Sequence, residues 1–395
     1  MMWHFYEIPY IPDLELVKYQ SLGEQGIDCI LERHNRFLRQ WQRNTVLIHT
    51  TLHFFLSYTH ERPKGSRLQI FLAFSSDQTV NFESIDALMQ ASPLADYYKI
   101  APIEDVPVCL RKSFTNILLV KKQEQTRLST GDTLFTVEGW KSNPKSRLYE
   151  MEKTAEALNE DMVYHISIYG SDTYKTAQQA LQKPIAILRE KALGRSGQIT
   201  LADNKNRPRD VSAEETLRIY EEFLSDVAKS PCFFANILLY ANQKSSAHFL
   251  MDAVCGEAIK EGTCEIQEIP STATPLELQK VNQPYCNLLP PSLAFWPTAY
   301  TLDELSSFFR LPILFDGENI EIKKETAPKL EQTGIYLGQT NNGLSAFIDA
   351  SSFKKHAFIC GVPGSGKTNT MLHLANSLWH HKKLIKDDTD NLSVT

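Results

Sequence analysis

Long apolar runs are missing from this 395-residue chain. No stretch approaches the roughly 18 residues that cross a bilayer, so no membrane span is expected. The opening residues Met1, Met2, Trp3, His4, Phe5 and Tyr6 lack a basic segment leading into an apolar one, and no secretory signal is read there. An excess of positive charge is also missing, since 41 Lys and Arg stand against 47 Asp and Glu for a formal charge of −6. That excludes a uniformly basic nucleic-acid coat and leaves room only for a local basic groove. The seven cysteines (Cys29, Cys109, Cys232, Cys255, Cys264, Cys286, Cys360) form no Cys-x-x-Cys pair. The usual zinc and redox spacings are thereby excluded, and reduced core thiols in a cytoplasmic setting are expected. What is present is ordinary in proportion: 42% apolar and 22% charged residues, which argues against disorder, collagen and coiled coil. The length predicts two or three domains.

The fold class read from the pattern is α/β and α+β: a mixed N-terminal α/β region with ferredoxin-like βα units, followed by the start of a P-loop NTPase core. Residues 1–150 are expected to form the mixed α/β domain. Within it, Gly26 to Gln42 carries apolar residues at helical spacing. Val46 to Tyr58 and Leu68 to Phe74 flank turn chemistry at residues 61–65 and predict a hairpin, and Phe114 to Val120 reads as a strand. Residues 151–282 are expected to form an α+β domain with two strand–small residue–helix units. The first runs Val163 to Tyr169 and then Thr173 to Gln182, where Pro184 should end or kink the helix. The second runs Phe234 to Tyr240 and then Ser245 to Ile259, and the pair predicts a ferredoxin-like layer. Residues 283–332 read as a linker, on Pro284, Pro290, Pro291 and Pro297, followed by a short helix from Thr301 to Phe309 capped by Thr301. Residues 333–395 read as an incomplete P-loop domain: a hairpin around Asn342-Gly343, a strand–loop–helix and a polar tail.

One stretch carries specific chemistry. Gly361-Val362-Pro363-Gly364-Ser365-Gly366-Lys367-Thr368 satisfies G-x-x-x-x-G-K-[ST]. Ala357-Phe358-Ile359-Cys360 before it is a buried-strand pattern, and Thr368 to Trp379 after it is helical, with Met371, Leu374, Ala375 and Leu378 on one face. A triphosphate needs several donors converging on a small volume, which successive amides in a loop free of bulky side chains supply. Gly361, Gly364 and Gly366 allow the close approach, and the positive end of the following helix adds field. Lys367 supplies charge to the β- and γ-phosphates and the Thr368 hydroxyl is placed to ligate Mg²⁺, so ATP and Mg²⁺ are the expected cofactors. The expected nucleotide-binding residues are Gly361, Gly364, Ser365, Gly366, Lys367, Thr368 and Asn369, with Thr368 also toward the metal.

Lys355 to Cys360, running into Gly361 to Thr368 and then Asn369-Thr370, resembles the HerA/FtsK class of P-loop ATPases, on its HerA-like and conjugative-secretion branch. Ile335-Tyr336-Leu337-Gly338 and Thr301 to Pro312, including Phe308-Phe309-Arg310-Leu311-Pro312, also resemble segments that precede the P-loop there. The resemblance implies a ring-forming, usually hexameric motor, a DNA translocase or helicase-like protein or a secretion ATPase. It also implies DNA or the proteins of a bacterial defence or conjugation system as partners. Few residues follow Thr368, and Asp387, Asp388 and Asp390 read as a solvated tail rather than a Walker B strand. The expectation is therefore a chain cut short after its phosphate-gripping half, with hydrolysis unassigned and no catalytic residue identified. The alternative is a non-enzymatic scaffold acting through residues 1–300 with a remnant P-loop. An Asn-Lys-x-Asp motif is absent, which argues against a GTPase-like switch.

Weaker constellations read blandly. His380-His381 are taken as surface histidines, His49 and His53 as packed or rim residues, and Glu150, Glu152, Glu221 and Glu222 as helix surface charges. Lys121-Lys122 and Arg195 to Arg209 are solvated loop charges that would contact a phosphate backbone if the protein acts on DNA. A P-loop segment without the neighbours of a complete sheet exposes apolar surface. Limited proteolysis of the dilute protein is expected to cut the C-terminal P-loop region well before the rest, and uniform resistance would contradict this.

Overall fold

The computed structural model describes residues 2–14, 25–48, 50–60, 67–77, 80, 82–129, 132–169, 173–192, 210–278, 289–315, 334–339, 345–349, 359 and 366–390. The chain divides into two compact units, Met1–Glu325 and Thr326–Thr395.

The first unit runs β1 (Met2–Glu7), α1 (Gly26–Ile48), β2 (Thr51–Tyr58), β3 (Leu68–Ser76), α2 (Phe82–Gln90), β4 (Ala101–Ile103), β5 (Asn116–Ser129), β6 (Asp132–Glu138), β7 (Lys141–Ser142), α3 (Tyr149–Leu158), β8 (Met162–Tyr169), α4 (Thr173–Ala192), α5 (Val211–Lys229), β9 (Cys232–Ala241), α6 (Lys244–Ala258), β10 (Ile259–Glu261), β11 (Cys264–Ile269), β12 (Ala299–Thr301) and α7 (Leu302–Ser306). Ten strands form one sheet in the order β11-β5-β9-β8-β2-β3-β1-β4, with β6 paired to β5 and β12 to β9. Every pairing in it is antiparallel.

Period-two alternation decides which face each side chain takes. Leu52, Phe54 and Leu56 of β2, Tyr164, Ile166 and Ile168 of β8, and Ala235, Ile237 and Leu239 of β9 share one core. That core also contains Ile30, Phe37, Leu38 and Trp41 of α1, Met151 of α3 and Leu250, Met251 and Val254 of α6. The opposite face carries Phe55, Val163, Leu238 and Tyr240, packed with Leu110, Phe114 and Ala273. A third cluster joins α4 and α5 to Leu134, Val137 and Trp296. Each buried Val, Leu, Ile or Phe contributes on the order of 1.5–3 kcal/mol.

Several expectations are corrected by this architecture. Residues 1–150 and 151–282, read as separate domains, interleave in the same sheet, since β8 lies beside β2 and β5 lies between β9 and β11. The two βα units do sit side by side, with β8 and β9 antiparallel and Met162 opposite Ala241. Pro184 does not end its helix. α4 continues to Ala192 because Ala177, Leu181, Ile185, Leu188 and Ala192 make a buried stripe that spans the proline. One forfeited backbone bond is outweighed by that burial. The strand expected from Val46 begins only at Thr51, residues 46–48 being the end of α1.

The proline-rich stretch read as a linker is packed structure wherever it is described. Pro291 and Pro297 sit at the starts of two short 3₁₀ turns, Pro291–Leu293 and Trp296–Thr298, where a missing amide donor costs nothing. Trp296, Phe308, Phe309, Arg310 and Leu311 are all buried. Phe309 lies against Phe37 and Phe54 at ring separations of 5.8 and 5.2 Å. The short helix is α7, and Thr301 caps it in a full capping box with Glu304, as its sequence foretold in part.

Several polar groups inside the fold are paired, although Ser57 Oγ, His165 Nδ1 and Tyr240 Oη are buried with no hydrogen-bond partner among the described residues. His53 Nδ1 lies 3.0 Å from His165 Nε2, and His53 Nε2 lies 2.8 Å from Ser75 Oγ. Trp3 packs at a tilt against His53, and Phe55 stacks on His165. His34 meets Tyr98 at 3.1 Å, and the buried Arg310 donates to Asn35 Oδ1 and the Pro144 carbonyl. Glu152 is buried in α3 rather than on the surface, whereas Glu221 and Glu222 are exposed and bridge Arg189 and Arg218. Among the described residues no helix is long and apolar enough to cross a membrane.

In the second unit, β13 (Ile335–Gln339) and β14 (Ser345–Ile348) pair antiparallel, as the Asn-Gly signal implied, and α8 covers Lys367–Asp390. The turn itself lies outside the described residues. Gly334 has φ +132°, and a Cβ there would come 2.5 Å from the Ile348 carbonyl, so the hairpin base requires glycine. The helix expected to end near Trp379 continues to Asp390, which places Asp387, Asp388 and Asp390 on helical backbone instead of in a tail.

Burial lowers the pKa of His53 to about 3 and holds those of His34 and His165 well below the usual imidazole value. Unfolding lets each take a proton near pH 6.5, so their stabilising effect is complete above that pH and is lost as pH falls below it. Each contributes a slope of about 1.4 kcal/mol per pH unit. The melting temperature is expected to fall steadily from pH 7 toward pH 4, and a His53→Phe/His165→Leu variant should flatten the calorimetric profile.

Candidate functional site

The phosphate-loop motif straddles the limit of the described structure. Gly361, Gly364 and Ser365 lie outside the described residues, as do Ala357, Phe358 and Cys360 of the run read as the preceding strand. Ile359 is described and is not in a strand. Gly366, Lys367, Thr368 and Asn369 are described together, at the beginning of α8.

Local backbone chemistry sets that helix start. Gly366 has φ +82°, in the left-handed region that a side chain disfavours, and nothing lies within 4 Å of where its Cβ would be. The position therefore needs glycine for its backbone angle, not for space. The helical bonding opens directly after it: the Thr370 amide donates to the Gly366 carbonyl at 3.0 Å, and the Thr370 hydroxyl donates to the same oxygen at 3.3 Å. Lys367 is half-buried, while Thr368 and Asn369 are exposed. The first turn of the helix contains no acidic residue of its own. A turn of this kind presents amide groups, one ammonium and hydroxyls to an incoming anion.

The rest of the unit anchors α8. His373 Nε2 lies 2.8 Å from the Tyr336 carbonyl of β13, tying the second turn of the helix to the hairpin. Of the face expected to be apolar, Leu374 and Leu378 are half-buried, while Met371 and Ala375 are exposed. Leu372 and Trp379 are exposed as well, at 56% and 71%.

Other sequence candidates resolve differently. Lys121 and Lys122, read as solvated or phosphate-contacting, are buried in β5. Lys121 Nζ bonds Glu124 at 2.7 Å and Glu265 at 3.2 Å, and Lys122 Nζ bonds Glu304 at 2.7 Å. Their charge is spent inside the fold. Only the register of β11 against β5, which sets Glu265 opposite Lys121, carried a readable hint, and it needs the strand pairing to be known. Lys122 and Glu304 are 182 positions apart, and no local pattern signals such a pair. Arg195 to Arg209 and His49 lie outside the described residues. His380 is exposed, and among the described residues no group of three or more His, Cys, Asp or Glu side chains is placed to hold a metal ion. Five cysteines are described as free thiols: Cys109, Cys232 and Cys255 buried, Cys264 half-buried, and Cys29 exposed, against the expectation that all are core residues.

No family model matches the chain, and no curated protein matches it. The site thus rests on its own residues. Replacing Gly366 with alanine is expected to cost about 1 kcal/mol at the helix start, read as roughly fivefold faster amide exchange in the first two turns of α8.

Proposed function

We propose that the chain is an ATP-binding protein of the HerA/FtsK-like motor class, holding Mg²⁺-bound ATP at the start of α8. The observation that carries this reading is the coincidence of the motif Gly361 to Thr368 with a helix that begins at Lys367, directly after a glycine at positive φ. A P-loop requires that junction, and its residues fit a polyphosphate: amides in the first turn, Lys367 beside them, Thr368 exposed next in sequence, and no acidic residue in the first turn itself.

In this reading Lys367 neutralises the β- and γ-phosphates and the Thr368 hydroxyl reaches the metal, with Gly361, Gly364, Ser365 and Asn369 completing the cradle. The bound nucleotide supplies the driving chemistry of the class. The chain's own contribution is to bind and orient it, since the described residues assign no acid to water activation. Further copies in a ring, DNA, or proteins of a defence or conjugation system are the partners that the class implies. The first unit, with its ten-stranded sheet, would supply the docking or assembly body.

Equilibrium binding of labelled ATP tests the reading. Lys367→Ala is expected to weaken binding roughly 10- to 100-fold, from the loss of a charge-assisted bond of about 1.5–3 kcal/mol. Equal, weak binding by both proteins would instead favour a scaffold acting through the first unit.

A further inference from the structure

A second place on the molecule, inside the first unit, is built to receive a ligand. An open cleft of about 480 Å³ lies where α5, the β6–β7 connection, the turn at Gly262 and the start of α7 meet. That size is in the range of small-molecule sites. Its floor is apolar, formed around Phe223 and Trp296, whose rings pack at 4.9 Å.

Two features separate this cleft from a chance surface dip. The first is a charge placed at cost. Glu304 and Lys122 are 9% and 4% exposed along their side chains and bonded to each other at 2.7 Å. Burying such a pair gains little stability over an apolar one. The second is how the Glu304 carboxylate is used. Its Oε2 accepts from Lys122 Nζ, from the Thr301 amide at 2.8 Å and from the Thr301 hydroxyl at 3.1 Å. Its Oε1 has no partner among the described residues. It faces Gly139, where an added Cβ would come 2.3 Å from it. Glycine at 139 therefore makes room for this oxygen, which sits where a Cβ would, while the other half of the carboxylate is held by its own bonds.

The sign of the surroundings identifies the guest. Four carboxylates line the cleft, Glu222, Asp226, Glu261 and Glu304, against two ammonium groups, Lys122 and Lys141. Both lysines are already matched, Lys141 to Glu261 at 2.5 Å. Asp226 has no side-chain partner among the described residues. Glu222 is matched as well, by Arg218 at 2.9 Å, and Lys122 Nζ lies 5.6 Å from the Phe223 ring centroid, so the unmatched charge is that of Asp226, which a cation would meet together with Glu304 Oε1.

We propose that this cleft binds a small organic cation, an ammonium or guanidinium group on an aliphatic stem, with its charge against Glu304 Oε1 and Asp226 and its stem along Phe223. The site is independent of the nucleotide reading. The same chemistry comes from a free diamine-type metabolite or from an arginine side chain of a peptide. Titration calorimetry on the full chain with agmatine and, separately, N-acetyl-arginine amide distinguishes the two sources, with uncharged butylurea as control. At least one of the two cations is expected to bind with a Kd of about 1 mM or tighter, weakening with added salt, while butylurea does not bind. Asp226→Asn with Glu222→Gln, both on the exposed side of α5, should lose at least about tenfold in affinity with an unchanged melting curve. Gly139→Ala should block binding by displacing Glu304. No binding of either cation to the wild type, or full affinity in the Asp226→Asn/Glu222→Gln variant, would overturn the proposal.

Discussion

Burial of β2, β8 and β9 on both faces leaves their side chains almost no route to solvent, so their polar groups find partners within the sheet or its covering layers or go without, as Ser57 Oγ, His165 Nδ1 and Tyr240 Oη do among the described residues. His53 is paired with His165 and Ser75, and Asn236 donates to Tyr169 Oη at 2.6 Å. The covering layers follow from the same burial. α1, α3 and α6 close one face, and the loops around Leu110 and Ala273 close the other. Strands buried on both sides usually belong to parallel sheets flanked by crossover helices. Here they are antiparallel, so the continuous apolar runs of β2 and β8 indicate two-sided burial without indicating direction.

That ambiguity marks how far the sequence could be read. Elements with a strong local signal were legible: α1 through Ile30, Leu38 and Trp41, the β2–β3 hairpin, the α7 cap at Thr301, and the β13–β14 pair around Asn342-Gly343. What could not be read depended on partners distant in the chain. β5 reads to Val120 as apolar and then turns to Lys121-Lys122, which looks like a strand ending at a solvated loop. In the structure the strand continues to Ser129, because Glu124, Glu265 and Glu304 neutralise the lysines from within β5 and from two distant segments. Pro290, Pro291 and Pro297 suggested a linker by the same local logic, yet a proline at the start of a 3₁₀ turn is compatible with a buried Trp296 immediately beside it. For the candidate nucleotide site the motif was fully legible, and the structure adds the junction at Gly366 and the extent of α8.

Glu304 concentrates several of these constraints in one residue. Its carboxylate closes the N-terminus of α7, neutralises a lysine of β5 and presents its remaining oxygen toward Gly139. Segments separated by more than 160 residues are thereby held in one arrangement by a single acidic group. A helix cap is ordinarily worth about 1 kcal/mol. This one also carries the electrostatic balance of a buried strand.

The two ends of the large sheet have their own logic. β4, at one end, is three residues long with Pro102 at its middle, a position that offers no amide hydrogen outward. β11, at the other end, carries Glu265 and Glu268 along its length. Short length, proline and charged side chains each discourage a foreign strand from adding to an open rim. A ten-stranded antiparallel sheet that did not close into a barrel would otherwise template its own polymerisation, and these residues let it end without becoming the seed of a fibril.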